Sequence, residues 1–543
     1  MRLKELFMGL LVCAALPACT DDADSVGNKL IEGKAYIKVQ IAMPSTSTRA
    51  TEGNYENGSE TEQKISDLYF AFYDNNGNFM ADGKNVQNLI PSQQAAGSDV
   101  EAITDAVIAL ELKENDNFPT QVVAYVNTPK GTDNKSIFSN KTLSEARALV
   151  EQSTTYAVED NFMMTNSTYY QGGEKFATPV VPANFYETEE MAKADDNPVE
   201  IYVERLAAKV RVAAATDVEI ADLTDKSGNT LKFTITAFAL NATNNSAYYL
   251  KHIPSDWTDA NPAWGWNKAT DFRCFWAEDV NYNATNDSDL TFVSYNDVKK
   301  DNTTSFSAYC RENTFAYTSM VGENVNPYKI ATHALVLGQY VVTDKDGNPV
   351  GDTNGTFYMY GGTVYDADNL KKLLAPSSLV FTKSGDAYVA ADPSVYDIVA
   401  VSGSASDVCL KLTLTEGKGT TYYTKNGSDY VEITSTNLNT VNTALAQVKA
   451  EGFNTGLAYF PVIIEHFGGA ADPTDGNKVK GDGAYGVVRN HIYDLTIQSI
   501  KSLGTGIFDE NQPIIPDGST KKYYVGAKLN ILSWKVVQQN VNL

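Results

Sequence analysis

The sequence predicts a mainly β protein: two antiparallel β-sandwich domains with a few short helices. Three observations carry that expectation. Short runs of alternating apolar and polar residues recur along the chain, the period of half-buried strands. Turn residues, Asn-Gly and Asp-Gly pairs above all, separate these runs. A length of 543 residues, 43% hydrophobic with 31 Tyr and 22 Phe, supplies enough apolar material for two large cores.

The first element is "MRLKELFMGLLVCAALPAC", with Arg2 and Lys4 ahead of an apolar run from Leu6 to Leu16. That run is too short to span a bilayer and reads as a secretory leader, residues 1–18. Its end, "LPAC", is similar to a bacterial lipoprotein-processing box, in which the Cys19 thiol takes the lipid and becomes the first residue. The acidic run Asp21, Asp22 and Asp24 resembles a signal for delivery to the outer cell surface. Next, Ile37, Val39, Ile41 and Met43 alternate with Lys38, Gln40 and Ala42, which predicts a strand closed by Pro44. A Ser/Thr-rich loop leads to Arg49, and the Arg49–Ala50 bond suits a trypsin-like, Arg-specific protease. Residues 19–49 therefore read as a lipidated propeptide with a removable first strand.

The N-terminal domain is expected over 50–200. "DLYFAFYDNNGNFMADG" reads as a hairpin, "AVIALELK" and "TQVVAYVNTP" as strands, and "TLSEARALVEQS" as a helix with Leu143, Ala146, Leu149 and Val150 on one face. The C-terminal domain is expected over 201–543, opening with "VEIYVERLAAKVRVAA" at the boundary. Strands follow in "LKFTITAFALN", "ATHALVLGQYVVTDKDGNPV", "GTFYMYGG", "LAYFPVIIEHF" and "VVRNHIYDLTIQSI", and helices in "DADNLKKLLA" and "NLNTVNTALAQVKAEG".

The formal charge of −24 excludes a nucleic-acid partner, which would require a basic face. "GDGAYG" (Gly481–Gly486) meets the dinucleotide pattern but lies between a polar loop and a strand, not at a helix start, so no cofactor is expected. "DKDGNPVGD" (Asp344–Asp352) lacks the closing Glu of a calcium loop and reads as a hairpin turn. No CxxC occurs and His252, His333, His466 and His491 are scattered, so no metal site or catalytic residue is expected. Cys274 and Cys310 could pair, which spacing cannot decide. Trp257, Trp264, Trp266 and Trp276 either stack on sugars or, the preferred reading, pin a long loop.

Three stretches together resemble the fimbrillins, the type V pilins of Gram-negative oral and gut anaerobes. They are "FMMTNSTYY" (Phe162–Tyr170), "VERLAAKVRV" (Val203–Val212) and "VVRNHIYDLTIQSIKSLG" (Val487–Gly504), the last carrying Arg489, Asn490, His491 and Tyr493. The final segment, "AKLNILSWKVVQQNVNL", is similar to that of the short-fimbria shaft subunits. The resemblance implies transthyretin-like sandwiches and a life history. The lipoprotein precursor is carried to the outer membrane, and a protease removes Cys19 to Arg49 with the strand of Ile37, Val39, Ile41 and Met43. A strand donated by another subunit then fills the opened groove.

The last segment has the pattern for a donor. Its apolar residues change phase, as in a bulge or two successive strands, the first docking on its own domain and the second reaching the neighbour. Val536 closes the first, while Val537, Val541 and Leu543 share a face of the second, opposite Gln538, Asn540 and Asn542. The expected function is a non-enzymatic fimbrial shaft subunit that polymerises head to tail and supports adhesion. Its partners would be its own copies, anchor and tip subunits, and the protease. The alternatives are a tip or accessory fimbrial adhesin, and a surface glycan-binding lipoprotein that is never cut.

Overall fold

The computed structural model describes residues 33–44, 56–89, 92–93, 100–112, 117–170, 174–253, 276–282, 289–298, 305–316, 326–414, 420–466, 484–517 and 535–542. The first strand, β1 (Gly33–Pro44), has the expected alternation: Ala35, Ile37, Val39 and Ile41 are buried, with the residues between them more exposed. The predicted hairpin forms as β2 (Leu68–Tyr73) and β3 (Phe79–Asn85), and Gly77 takes the positive φ that its Asn-Gly turn needs. Four more strands follow: β4 (Val100–Leu112), β5 (Gln121–Val126), β6 (Met164–Asn166) and β7 (Val199–Arg205). Their pairings run β1-β7-β6-β5-β2-β3-β4 and return to β1, a closed circuit of seven strands.

Closure removes the free edges that an open sheet would leave. Ile37, Val39, Phe70, Phe72, Ile108, Val122 and Ile201 fill the interior. Gly83 is required on β3, because a Cβ there would lie 2.6 Å from the Phe72 ring and 2.7 Å from Ile108. The helix read from "TLSEARALVEQS" covers only Leu143–Arg147, capped by Thr142 and Glu145. It stops early because Val150 is drawn into pairing with Tyr248, so Leu149 and Val150 leave the helical face.

The chain enters the second part of the fold at Leu206, between β7 and β8 (Ala207–Ile220). The sheets thus change a few residues beyond the break expected near 200. Two sheets face each other here. One orders β10 (Ser305–Arg311), β8, β13 (His491–Ile500) and β14 (Lys535–Asn542); the other contains β9 (Thr230–Asn241), β11 (His333–Thr343) and β12 (Leu457–Ile463). Val210, Val212, Phe233, Val336, Phe460 and Leu495 pack between them. The fold is mainly β and mainly antiparallel, with the pairs β1–β7, β8–β13 and β13–β14 parallel.

Between β11 and β12 the chain builds a further layer. Helices Ala367–Leu374 and Leu438–Leu445 pack on a five-stranded sheet, with Leu370, Tyr396, Leu410 and Val441 as a core of their own. The first helix matches the sequence reading; the second stops at Leu445, and Lys449–Gly452, read as its last turn, belong to the strand Lys449–Phe453. The separate core does not follow from the sequence.

His333, at the start of β11, makes stability depend on pH. Its Nδ1 lies 2.8 Å from the Ala331 carbonyl and its Nε2 is 3.1 Å from the Asn241 amide nitrogen. The amide can only donate, so Nε2 accepts and the ring is neutral. Burial pulls its pKa down to about 4. A lowered His pKa contributes stability that is complete above the unfolded value, about 6.5, and is lost as pH falls towards 4. Between pH 7 and pH 4 the loss should be on the order of 3 kcal/mol. Urea unfolding across this range should show it, and His333→Gln should flatten the profile.

Candidate functional site

β1 is held along both edges. On one side it pairs antiparallel with β4 from Gly33↔Leu112 to Met43↔Ala102, with a bulge at Pro44. On the other it pairs in parallel with β7, Val39↔Val199 to Ala42↔Tyr202, and exchanges backbone hydrogen bonds with Tyr186 through Tyr36. Outward-facing groups add to this: Lys38 Nζ donates to the Asp195 carbonyl at 2.7 Å, and Gln40 Nε2 to Asp105 Oδ1 at 3.1 Å. Ile37, Val39 and Ile41 are at most 1% exposed. Withdrawing β1 would open a slot between β4 and β7 with unpaired backbone on both sides and an apolar floor.

The chain is next anchored at the end of β7 and on β8. Glu56 accepts from Arg211 Nη1 at 2.8 Å, and Arg211 also pairs with Asp494 on β13. A short helix, α1 (Glu60–Gln63), is capped reciprocally by Ser59 and Glu62. Glu62 accepts from Lys209 Nζ at 2.9 Å and from the Tyr309 hydroxyl, while its carbonyl accepts from Arg205 Nε at 2.8 Å. Burial pushes the Glu62 carboxyl up, but these donors outweigh burial and leave its pKa below the usual value. The segment following the proposed cut is thus clamped to β8, and loss of β1 would not unravel it.

The most distinctive sequence stretch is structural. Arg489 pairs with Glu312 at 3.1 Å and donates to the carbonyls of Tyr249 and Tyr248, with both charged side chains buried. Asn490 adopts φ +57° and accepts from Arg205, while its N–H donates to the Ala207 carbonyl. The Tyr493 hydroxyl accepts from the Val488 N–H and lies 2.8 Å from His466 Nδ1. A second buried pair, Lys251 with Glu204 at 2.9 Å, lies beside this junction. Removing one member of such a pair typically costs about 3–5 kcal/mol, because the other is left charged and buried. These residues tie the seven-stranded circuit to the second pair of sheets.

Val536, Val537 and Val541 lie on β14, which runs parallel to β13 of the same chain in the register Ile492↔Val536, Tyr493↔Val537 and Ile497↔Val541. β14 is the outermost strand of its sheet, so its second edge carries no partner strand among the described residues. Cys19, Arg49, Ala50 and Leu543 lie outside the described residues, as do Cys274, Trp257, Trp264, Trp266 and the start of "GDGAYG". Trp276 is fully buried against Tyr282 and His466, as a packing residue would be. Cys310 is a free, buried thiol whose pKa burial pushes up to about 12. The partners of β1, the clamp at Glu56 and Glu62, and the buried acids facing Arg489 and Lys251 were not read from the sequence. Their only signal was alternating charge in "VERLAAKVRV".

A family model described as the C-terminal region of fimbrillin, major fimbrial subunit protein type IV, matches residues 451–540. No curated protein matches. Similar solved structures include a candidate cell adhesion protein from Parabacteroides distasonis (14% identity, 59% of this chain and 80% of that one, TM-score 0.30). Others are the C-terminally truncated tip fimbrial protein Mfa3 of Porphyromonas gingivalis (12%, 61% and 85%, TM-score 0.28) and the fimbrial anchor protein Mfa2 of the same organism (11%, 58% and 80%, TM-score 0.21). Over residues 451–540, which hold β12, β13 and most of β14, the chain is fimbrillin-like.

Proposed function

We propose that this chain is the shaft subunit of a cell-surface fimbria, assembled by protease-triggered strand exchange. The precursor is lipidated on Cys19, carried to the outer membrane and cut between Arg49 and Ala50. Residues 19–49 leave with β1 when a donor strand displaces it, and 50–200 are the acceptor domain that lines the slot. Residues 201–543 form the donor domain, whose last strand enters the slot of the next subunit. The observation that supports this reading is β1 itself: one strand, near the start of the chain, closes a barrel and contributes a full row of its core. Head-to-tail donation does not close on itself, so it yields a filament that anchor and tip subunits can bound.

Limited trypsin digestion of the purified full chain tests the reading. The large product should begin "ATEGNYENG" and electron microscopy should show filaments. A product cut elsewhere, or one that stays monomeric after a cut at Arg49, argues instead for the uncut glycan-binding lipoprotein or for an accessory subunit.

A further inference from the structure

Away from β1, the outer face of the β2–β3 hairpin and the loop 130–139 enclose a cavity of about 460 Å³. That is a typical size for a small-ligand site. Its wall is fixed from behind. Phe138, fully buried, stacks on Tyr125 with ring centroids 3.7 Å apart, plugging the loop into the barrel's outer layer. The loop closes on itself through Gly131 N–H to the Lys135 carbonyl at 2.7 Å. Asp82 joins loop to sheet, accepting from Ser139 Oγ at 2.8 Å and from the Tyr69 hydroxyl.

The chemistry of the lining is unusual for this chain. Asp82 is already engaged on both oxygens, and Asp67 is paired with Lys130 at 3.0 Å. Two further cations at the rim, Lys84 and Lys135, have no carboxylate partner among the described residues. With Lys130, the lining holds three lysines against Asp67 and Asp82, one positive charge in excess in a protein of net charge −24. Tyr69 and Lys84 are direct cross-strand neighbours, so an apolar ring and a free ammonium stand side by side. Leu68 and Leu89 line it from the side of the barrel core, Asn85 is held by Gln87, and Ser136 supplies a neutral hydrogen-bonding group.

We propose that this cavity binds an acidic sugar unit, a pyranose bearing a carboxylate. The C–H face of the ring lies on Tyr69, Lys84 and Lys135 take the carboxylate, and Ser136 meets a hydroxyl. A neutral sugar would leave both lysines unused, and a bare anion would leave the apolar wall uncovered. Tyr69 faces the outer layer of the barrel, away from the core that β1 completes, so the assignment is independent of strand exchange.

Isothermal titration of the full chain with N-acetylneuraminic acid and glucuronic acid tests it, with galactose and sodium sulfate as comparators. The acidic sugars should bind, and Lys84→Gln and Lys135→Gln should each weaken binding by about tenfold or more. Both lysines are exposed, so the unfolding midpoints should stay at the wild-type value. Tyr69→Ala should weaken the sugars but not sulfate. No binding of either acidic sugar at millimolar concentration overturns the proposal. So does galactose binding equally well, sulfate competing as strongly as the sugars, or the lysine variants binding like wild type.

Discussion

Cells carrying Arg49→Ala should export the chain and assemble no fibres. The physical reason is the depth of β1 in the barrel. Ile37, Val39 and Ile41 are essentially inaccessible, and burying side chains of that size contributes roughly 1.5–3 kcal/mol each, so roughly 5–9 kcal/mol together. Backbone pairing to β4 and β7 adds to this. An uncut β1 therefore stays in place and excludes any incoming strand. The same arithmetic says that cutting alone does not empty the slot. After trypsin acts on the monomer, the fragment containing β1 should co-elute with the body in gel filtration. It should leave only when a donor strand displaces it residue by residue, or in denaturant. Arg49→Lys separates recognition from folding: an Arg-specific protease in the cell leaves it uncut, while added trypsin cuts it and restores polymerisation. Normal fibres on Arg49→Ala cells would remove the cleavage reading.

What was legible in the sequence is what local pattern encodes. The alternation of Ile37, Val39 and Ile41 identified β1 and its inward face, and the Asn-Gly turn identified the β2–β3 hairpin. The stretch "DADNLKKLLA", read as a helix, forms one over Ala367–Leu374. Pairing was not legible. Nothing local says that β1 meets β4 on one edge and β7 on the other, because those partners lie some 60 to 160 residues away. The same holds for Arg489 and Glu312, or Arg205 and Asn490, whose separations exceed 150 residues. Each looks like an ordinary surface charge or amide until the fold brings its partner close. The helix over Leu143–Arg147 shows the converse: the propensity for a longer helix was present, and a tertiary strand pairing at Val150 overrode it.

Deleting Val537–Leu543 should abolish polymers and leave a folded monomer. The resting position of β14 sets how large each effect is. In a single chain it adds an outermost, parallel strand to β13, and β13 keeps its other edge paired to β8 along nearly its whole length. Val210, Phe233, Val336 and Phe460 of the facing core lie on β8, β9, β11 and β12. Removing the segment therefore costs the monomer an edge ladder whose hydrogen bonds contribute about 0.5–1.5 kcal/mol each, offset by the ordering entropy of the strand. The net loss should be on the order of 1–3 kcal/mol, a shift of a few degrees in Tm for a protein of this size. Assembly loses everything, because the slot between β4 and β7 then has nothing to receive. Val541→Asp is the milder test. In an apolar slot a carboxylate costs several kcal/mol unless paired. Left unheated in detergent, trypsin-treated wild-type protein should run as a ladder and the Val541→Asp protein as a single band. If the truncated chain instead unfolds as a monomer, β14 belongs to its own sheet and another segment must be the donor.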